Sequence, residues 1–197
     1  PTPTVGMVGL LEDVEKRVRM PFRREGDVLA ILGETRDELG GSEYLRVLRG
    51  RDEGPCPEVD LPAEKRLIDL LVTLAEERRL ASAHDISDGG LAVALAECAM
   101  TGGLGVEVAL APGVRHSAVL FGETTARALI SFGTNEEGAV RGTAERLGVP
   151  FRILGRVGGD RLRILLEDRV LIGESIASLS DTWTNAFARA MEAADVL

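Results

Sequence analysis

Lysine is almost missing from this chain. Of 23 basic side chains only Lys16 and Lys65 are lysine; the rest are arginine, a bias that follows either genome composition or a hot environment. Cysteine is scarce too. Cys56 and Cys98 make neither a disulfide framework nor a zinc site, and imply a reducing, cytoplasmic setting. Basic charge is outweighed by 32 acidic residues, for a formal net charge of −9, which argues against nucleic acid or an anionic membrane surface as a general partner. No apolar run approaches the ~18 residues of a membrane span, no secretory signal pattern is present, and there is no repeat or low-complexity segment.

What is present suits a globular domain. Hydrophobic residues make up 45% of 197, and a chain of this size buries roughly 70% of its unfolded surface, so it needs no disulfide or metal to fold. The chain starts on Pro1 and runs straight into apolar residues without a cap, and reads as a piece of a longer protein.

Pattern and punctuation give an order of elements. Residues 4–11 are short, apolar and glycine-punctuated, as in a strand; 12–24, interrupted by Pro21, form a charged connector or exposed hairpin. Val28–Leu32 is a buried strand ending at Gly33. Gly40-Gly41-Ser42 leads into a short helix carrying Tyr44, Leu45 and Leu48, with Ser42 as N-cap. After a Gly/Pro-rich loop, 63–80 form a helix whose core face is Leu67, Leu70, Leu71 and Leu74. A helix over 91–100 follows, with Leu91, Leu95 and Cys98 on one face and a glycine stop at Gly102-Gly103. Residues 105–111 alternate as a half-buried strand, and Ala128–Phe132 is an apolar strand. Thr134-Asn135 cap a helix ended by Gly148. Phe151–Val157 is a strand, 162–166 and 170–172 a hairpin, and Ser180-Asp181 cap a last helix whose Trp183, Phe187 and Met191 stripe reads as core. The sum is an α+β fold, a mixed β-sheet with helices packed on it.

The chemistry concentrates in His84-Asp85-Ile86-Ser87-Asp88-Gly89-Gly90. Ser87 or Asp88 can cap the following helix, and Gly89-Gly90 let the backbone approach a ligand closely. Free N–H groups and the helix dipole at such a start favour an anion by roughly 0.3–1 kcal/mol, up to ~2 when partly buried. Asp85 and Asp88 would repel a bare phosphate, so a functional version includes a divalent cation such as Mg2+ or its nucleotide complex. The same residues also serve a plain capped turn. Gly40, Gly41 and Ser42 form a second, weaker anion seat. Glu123 and Arg127, framed by apolar residues, read as a local ion pair at a strand start or as ligand contacts. His84 reads as a hydrogen-bonded structural histidine, and His116 as solvated.

The run from His84 through Glu97 resembles the signature of the C-terminal domain of the AIR synthase-related superfamily. Residues 1–10, Pro-Thr-Pro-Thr-Val-Gly-Met-Val-Gly-Leu, and 32–43 are similar to the last quarter of the synthetase subunits of phosphoribosylformylglycinamidine (FGAM) synthase. Leu120 through Arg127 is similar to the family pattern Leu-Phe-Ser-Glu-Ser-Gln-Ser-Arg, departing at Gly122, Thr124 and Thr125 and keeping Glu123 and Arg127. The resemblance implies a purine-biosynthesis ligase that uses ATP, Mg2+ and glutamine-derived ammonia. Its partners would be the remaining domains of the same subunit, a glutaminase subunit and a small accessory subunit. Residues 1–20 would be the tail of a preceding domain and 21–197 the last domain, holding no catalytic residue and inactive alone. Ligand contacts would fall on Gly40, Gly41, Ser42, Asp85, Ser87, Asp88, Gly89, Gly90, Glu123 and Arg127, with Asp85 and Asp88 as metal candidates. Two other readings stand beside it: a scaffold and subunit-docking domain with a vestigial nucleotide site, or another enzyme of the superfamily.

Overall fold

The computed structural model describes residues 5–194. Its strands are β1 (Val28–Leu32), β2 (Ser82–Asp85), β3 (Val106–Leu110), β4 (Ala128–Phe132), β5 (Phe151–Val157), β6 (Arg161–Leu166) and β7 (Arg169–Ser175). They form one sheet in the order β2-β4-β1-β5-β3-β6-β7. Every neighbouring pair is antiparallel except β3 with β6. The helices are α1 (Glu43–Arg49), α2 (Leu61–Glu76), α3 (Gly90–Gly102), α4 (His116–Phe121), α5 (Glu137–Leu147) and α6 (Ile176–Ala194). This is the mixed, helix-packed sheet that the pattern predicts.

Helices cover both faces of the sheet at its centre. β1 shows why its sequence is continuously apolar: Leu29 and Ile31 join the core built with α3 and α4, while Val28, Ala30 and Leu32 join the core built with α2 and α5. A strand buried on both faces loses its alternation. β3 and β6 are covered on one side only, so Val106, Val108, Leu162 and Ile164 point into the first core while Glu107 and Arg163 pair in solvent on the other. α2 buries Leu67, Leu70 and Leu74, with Leu71 half-buried. Truncating a leucine at such a site costs about 2–5 kcal/mol.

Strands β1, β2 and β3 end, and β4 and β5 begin, on one side of the sheet. Loops 33–42, 86–89, 111–115, 122–127 and 148–150 therefore gather there.

Several expectations are corrected. Residues 5–11 form no strand; Val8 and Leu10 are fully exposed and Met7 93% exposed, since an apolar segment without a pairing edge has no ladder to join. Residues 1–4, which open the family-like motif, lie outside the described residues. β2 is a strand that the sequence hides: Ser82–Asp85 is short and polar, and it exists because β4 offers an edge and Ala83 N–H donates to Arg19 O at 3.1 Å on the other side. Residues 116–121 form a helix, α4, that the element order did not include, and His116 is exposed as expected, on its first turn. α2 ends at Glu76, not residue 80. Thr134 and Asn135 form a 3-10 turn and place no side-chain cap on α5. α6 starts at Ile176, ahead of Ser180 and Asp181, with Ser175 Oγ accepting from Ser178 N–H. Its stripe is not core: Trp183 is 66%, Phe187 77% and Met191 51% exposed. Among the described residues of α6, Ile176 and Leu179 reach the core; beyond them every residue from 181 to 192 is exposed.

Candidate functional site

A cleft of about 790 Å³ opens where β2 and β4 meet the loops. One wall is apolar, from Met20, Leu67, Ile68, Leu71 and Ala83; the other carries His84, Asp85, Ser87, Asp88, Glu123 and Arg127. Five predicted site residues, Asp85, Ser87, Asp88, Glu123 and Arg127, are thus brought together.

The start of α3 is built differently from the expectation. Neither Ser87 nor Asp88 caps it: the N-cap is Gly89, in left-handed conformation at φ +79°, with no side chain of its own to help. Its N–H donates instead to Glu123 Oε1 at 2.8 Å. Gly90 N–H turns back to Ser87 O at 2.9 Å. A Cβ on Gly90 would lie 2.7 Å from the Gly122 carbonyl oxygen, in backbone at φ +69°, so glycine is required there by packing alone.

Gly40, Gly41 and Ser42 do not line this cleft. Gly41 N–H donates to Glu53 O at 3.0 Å, and Ser42 caps α1 as expected, its Oγ accepting from Leu45 N–H at 3.4 Å. The first N–H of α1, on Glu43, donates to the same Glu123 Oε1 at 2.9 Å. The two glycine-rich helix starts are therefore joined through one carboxylate oxygen.

Glu123 and Arg127 make no ion pair within 4.0 Å among the described residues, which corrects that expectation. Arg127 is 3% exposed. It donates from Nε to Thr124 O at 3.0 Å, from Nη2 to Gly122 O at 2.5 Å and from Nη1 to Thr35 Oγ1 at 3.3 Å. Burial pushes its pKa down to about 10, against the opposing pull of the Glu38 and Glu123 charges; it remains a cation at neutral pH. Glu38 Oε2 and Thr124 Oγ1 are buried beside it without partners.

His84 is hydrogen-bonded, as the sequence suggests, and lines the cleft. Nδ1 lies 3.1 Å from Asp85 Oδ1 and Nε2 2.9 Å from Glu97 Oε2. Burial raises the Asp85 carboxyl, but bonds from the Ser87 hydroxyl and its own backbone N–H, with His84, outweigh it and hold the group below its ordinary value. Cys98 lies on the buried face of α3, where burial pushes its thiol up to about 12. Two contributors escaped the sequence: Glu64 Oε1 accepts from Ala126 N–H at 2.8 Å, and Thr125 Oγ1 donates to Glu58 O at 2.9 Å. Nothing local marks Glu64, because its partner lies 62 residues away. Among the described residues no group of three or more His, Cys, Asp or Glu side chains converges as a metal site.

Residues 24–167 match the family model described as AIR synthase related protein, C-terminal domain. The chain belongs to this family. It is 40% identical over 192 residues to the phosphoribosylformylglycinamidine synthase subunit PurL of Alkaliphilus metalliredigens, covering 98% of this chain and 26% of that protein. It is 43% identical over 183 residues to the PurL subunit of Moorella thermoacetica, covering 93% and 25%. The chain thus spans about a quarter of the length of these curated relatives. Its fold is similar to that of Thermotoga maritima PurL complexed with FGAR (TM-score 0.73, 20% identity, 85% of this chain and 30% of that one). The same protein complexed with ATP gives a TM-score of 0.68, at 20% identity, over 85% of this chain and 28% of that one. Within the AIR synthase related C-terminal domain, His84–Glu97 and Leu120–Arg127, which carry the family resemblance, supply the polar wall of the cleft, the start of α3 and the carboxylate that joins it to the start of α1.

Proposed function

We propose that this chain works as the AIR synthase related C-terminal unit of an FGAM synthase synthetase subunit. In the whole protein, the amide oxygen of formylglycinamide ribonucleotide is activated by phosphoryl transfer from ATP and then displaced by glutamine-derived ammonia, giving the amidine. The observation that carries this reading is 40% identity to PurL over nearly the entire chain. On this reading residues 1–20 belong to a preceding domain and 21–197 form the last one, and the chain alone has no ligase activity. The setting is cytoplasmic; among the described residues no helix is long and apolar enough to cross a membrane. Partners are the other domains of the subunit, the glutaminase and the small accessory subunit. The candidate contacts, Gly40, Gly41, Ser42, Asp85, Ser87, Asp88, Gly89, Gly90, Glu123 and Arg127, serve ligand binding, with the apolar wall of the cleft suited to a ring and its polar end to phosphoryl groups. Mg2+ would have to draw most of its donors from the nucleotide or from the rest of the subunit.

The test is a chimera in which this chain replaces the matching quarter of the Moorella thermoacetica subunit, assayed for ATP- and ammonia-dependent amidine formation. Activity near that of the parent supports the reading; a folded but inactive chimera opposes it.

A second reading, a scaffold and docking domain, is favoured by one observation: the Trp183, Phe187 and Met191 stripe is open. Calorimetric titration of the chain with ADP and ATP, with and without Mg2+, separates the two. Saturable binding supports a ligand site, and none by a folded chain supports the scaffold.

A further inference from the structure

We propose that Glu123 is a positioning residue that couples the β1–α1 loop to the β2–α3 loop, holding the two helix starts as one unit, of which the β2–α3 loop lines the cleft. The inference rests on the reading of those loops as ligand-binding segments.

Glu123 follows α4 by two residues. Its Oε1 accepts from Glu43 N–H, 80 residues earlier in the chain, and from Gly89 N–H, 34 residues earlier. Both donors are backbone groups at helix starts, which no intrahelical carbonyl can satisfy. Neither helix meets this need from its own side chains: Ser42 serves Leu45 N–H, a turn further on, and Gly89 has no side chain. A charged acceptor is favoured twice, by two charge-assisted bonds and by two helix dipoles.

The surroundings make this a junction and not an isolated contact. Tyr44 of α1 stacks on Phe121 of α4 at 5.0 Å between ring centroids. Gly90 is packed so closely against Phe121 and Gly122 that no Cβ fits. The starts of α1 and α3 and the end of α4 thus converge on residues 121–123, and Glu123 is the only side chain of that turn bonded to both other helices. Opening either helix start weakens the hold on the carboxylate and so loosens the other.

Amide hydrogen exchange on the full 197-residue chain tests this. In Glu123→Ala, exchange at Glu43 and Gly89 should accelerate together by about tenfold, the loss expected for a charge-assisted bond, while Ile130 in β4 stays protected. Glu123→Gln keeps an acceptor oxygen and should restore most of the protection at both. The coupling itself is read by a cycle. Ser42→Ala removes the α1 cap and should speed exchange at Gly89 about fivefold in the wild-type background but not in Glu123→Ala. Response of one loop only, or an effect of Ser42→Ala on Gly89 that persists without Glu123, overturns the proposal; so does a Glu123→Gln chain no better protected than Glu123→Ala. ADP titration gives the functional arm: affinity should fall about tenfold in Glu123→Ala and recover in Glu123→Gln. A wild-type chain that binds no ADP removes the nucleotide reading, and the exchange cycle still decides the role of Glu123.

Discussion

Arg127 reaches back under its own loop and donates from Nη2 to the carbonyl oxygen of Gly122, 2.5 Å away. With the bond from Nε to Thr124 O, the guanidinium closes the 122–127 segment into a fixed turn and fixes where Glu123 stands. Arg127→Met should lower unfolding free energy by about 2–4 kcal/mol, because two buried carbonyls lose their donor. Arg127→Lys should recover little, since one ammonium does not reproduce a planar fork. Urea unfolding of the three chains checks this; a Met variant as stable as wild type refutes it.

Gly90→Ala should be among the costly single-methyl changes in the chain. Its Cβ would meet the backbone of Phe121 and Gly122 at 2.7 Å, at φ +69°, for a loss of about 2–4 kcal/mol. Gly103→Ala, where nothing lies within 4 Å, should lose only the left-handed strain of about 1–2 kcal/mol. Thermal melts of the pair separate collision from strain.

The two thiols should behave oppositely. Cys56 is exposed and Cys98 buried, with its thiol pushed up to about 12. A disulfide-exchange reagent at about pH 8 should titrate one thiol in the folded chain and both in denaturant, because the thiolate is the reactive form. Two fast equivalents in the native chain would contradict the packing of α3.

The pH response has a defined sign. Asp85 titrates below its ordinary value of 3.8 in the fold, so the unfolded chain binds the proton more readily. The stabilisation is complete above that value and disappears as pH falls through the folded pKa. Asp85→Asn should therefore be less stable than wild type at neutral pH, with the difference shrinking as the pH falls below the ordinary carboxylate value. A gap that widens on acidification would reverse the assignment.

Local pattern reveals what local forces build. Val28–Leu32, Phe151–Val157 and the leucine face of α2 are legible because their own residues dictate burial and period. Ser82–Asp85 is not, since its strand character is lent by β4. The period of Trp183, Phe187 and Met191 tells that α6 has an apolar face, but not whether anything covers it. At the site, the acidic Gly-Gly turn stands out in the sequence, whereas its true N–H acceptor is Glu123, 34 residues on. The available signal was a lone carboxylate framed by Val119–Phe121 and Ala128–Phe132; only the fold shows where it points.

The central strand also constrains how the protein is made. β1 pairs on one side with β4 and on the other with β5, so that Val28 lies opposite Phe132 and Arg156. During synthesis β1 leaves the ribosome long before either neighbour exists, and both of its edges stay open while most of the chain is still to come. The sheet cannot close locally and grow outward; it must wait for contacts nearly two-thirds of the chain apart, which is the topology of slow folding and of exposure to aggregation on the way. A nascent chain stalled before residue 157 would hold an apolar strand ready to pair with any edge it meets.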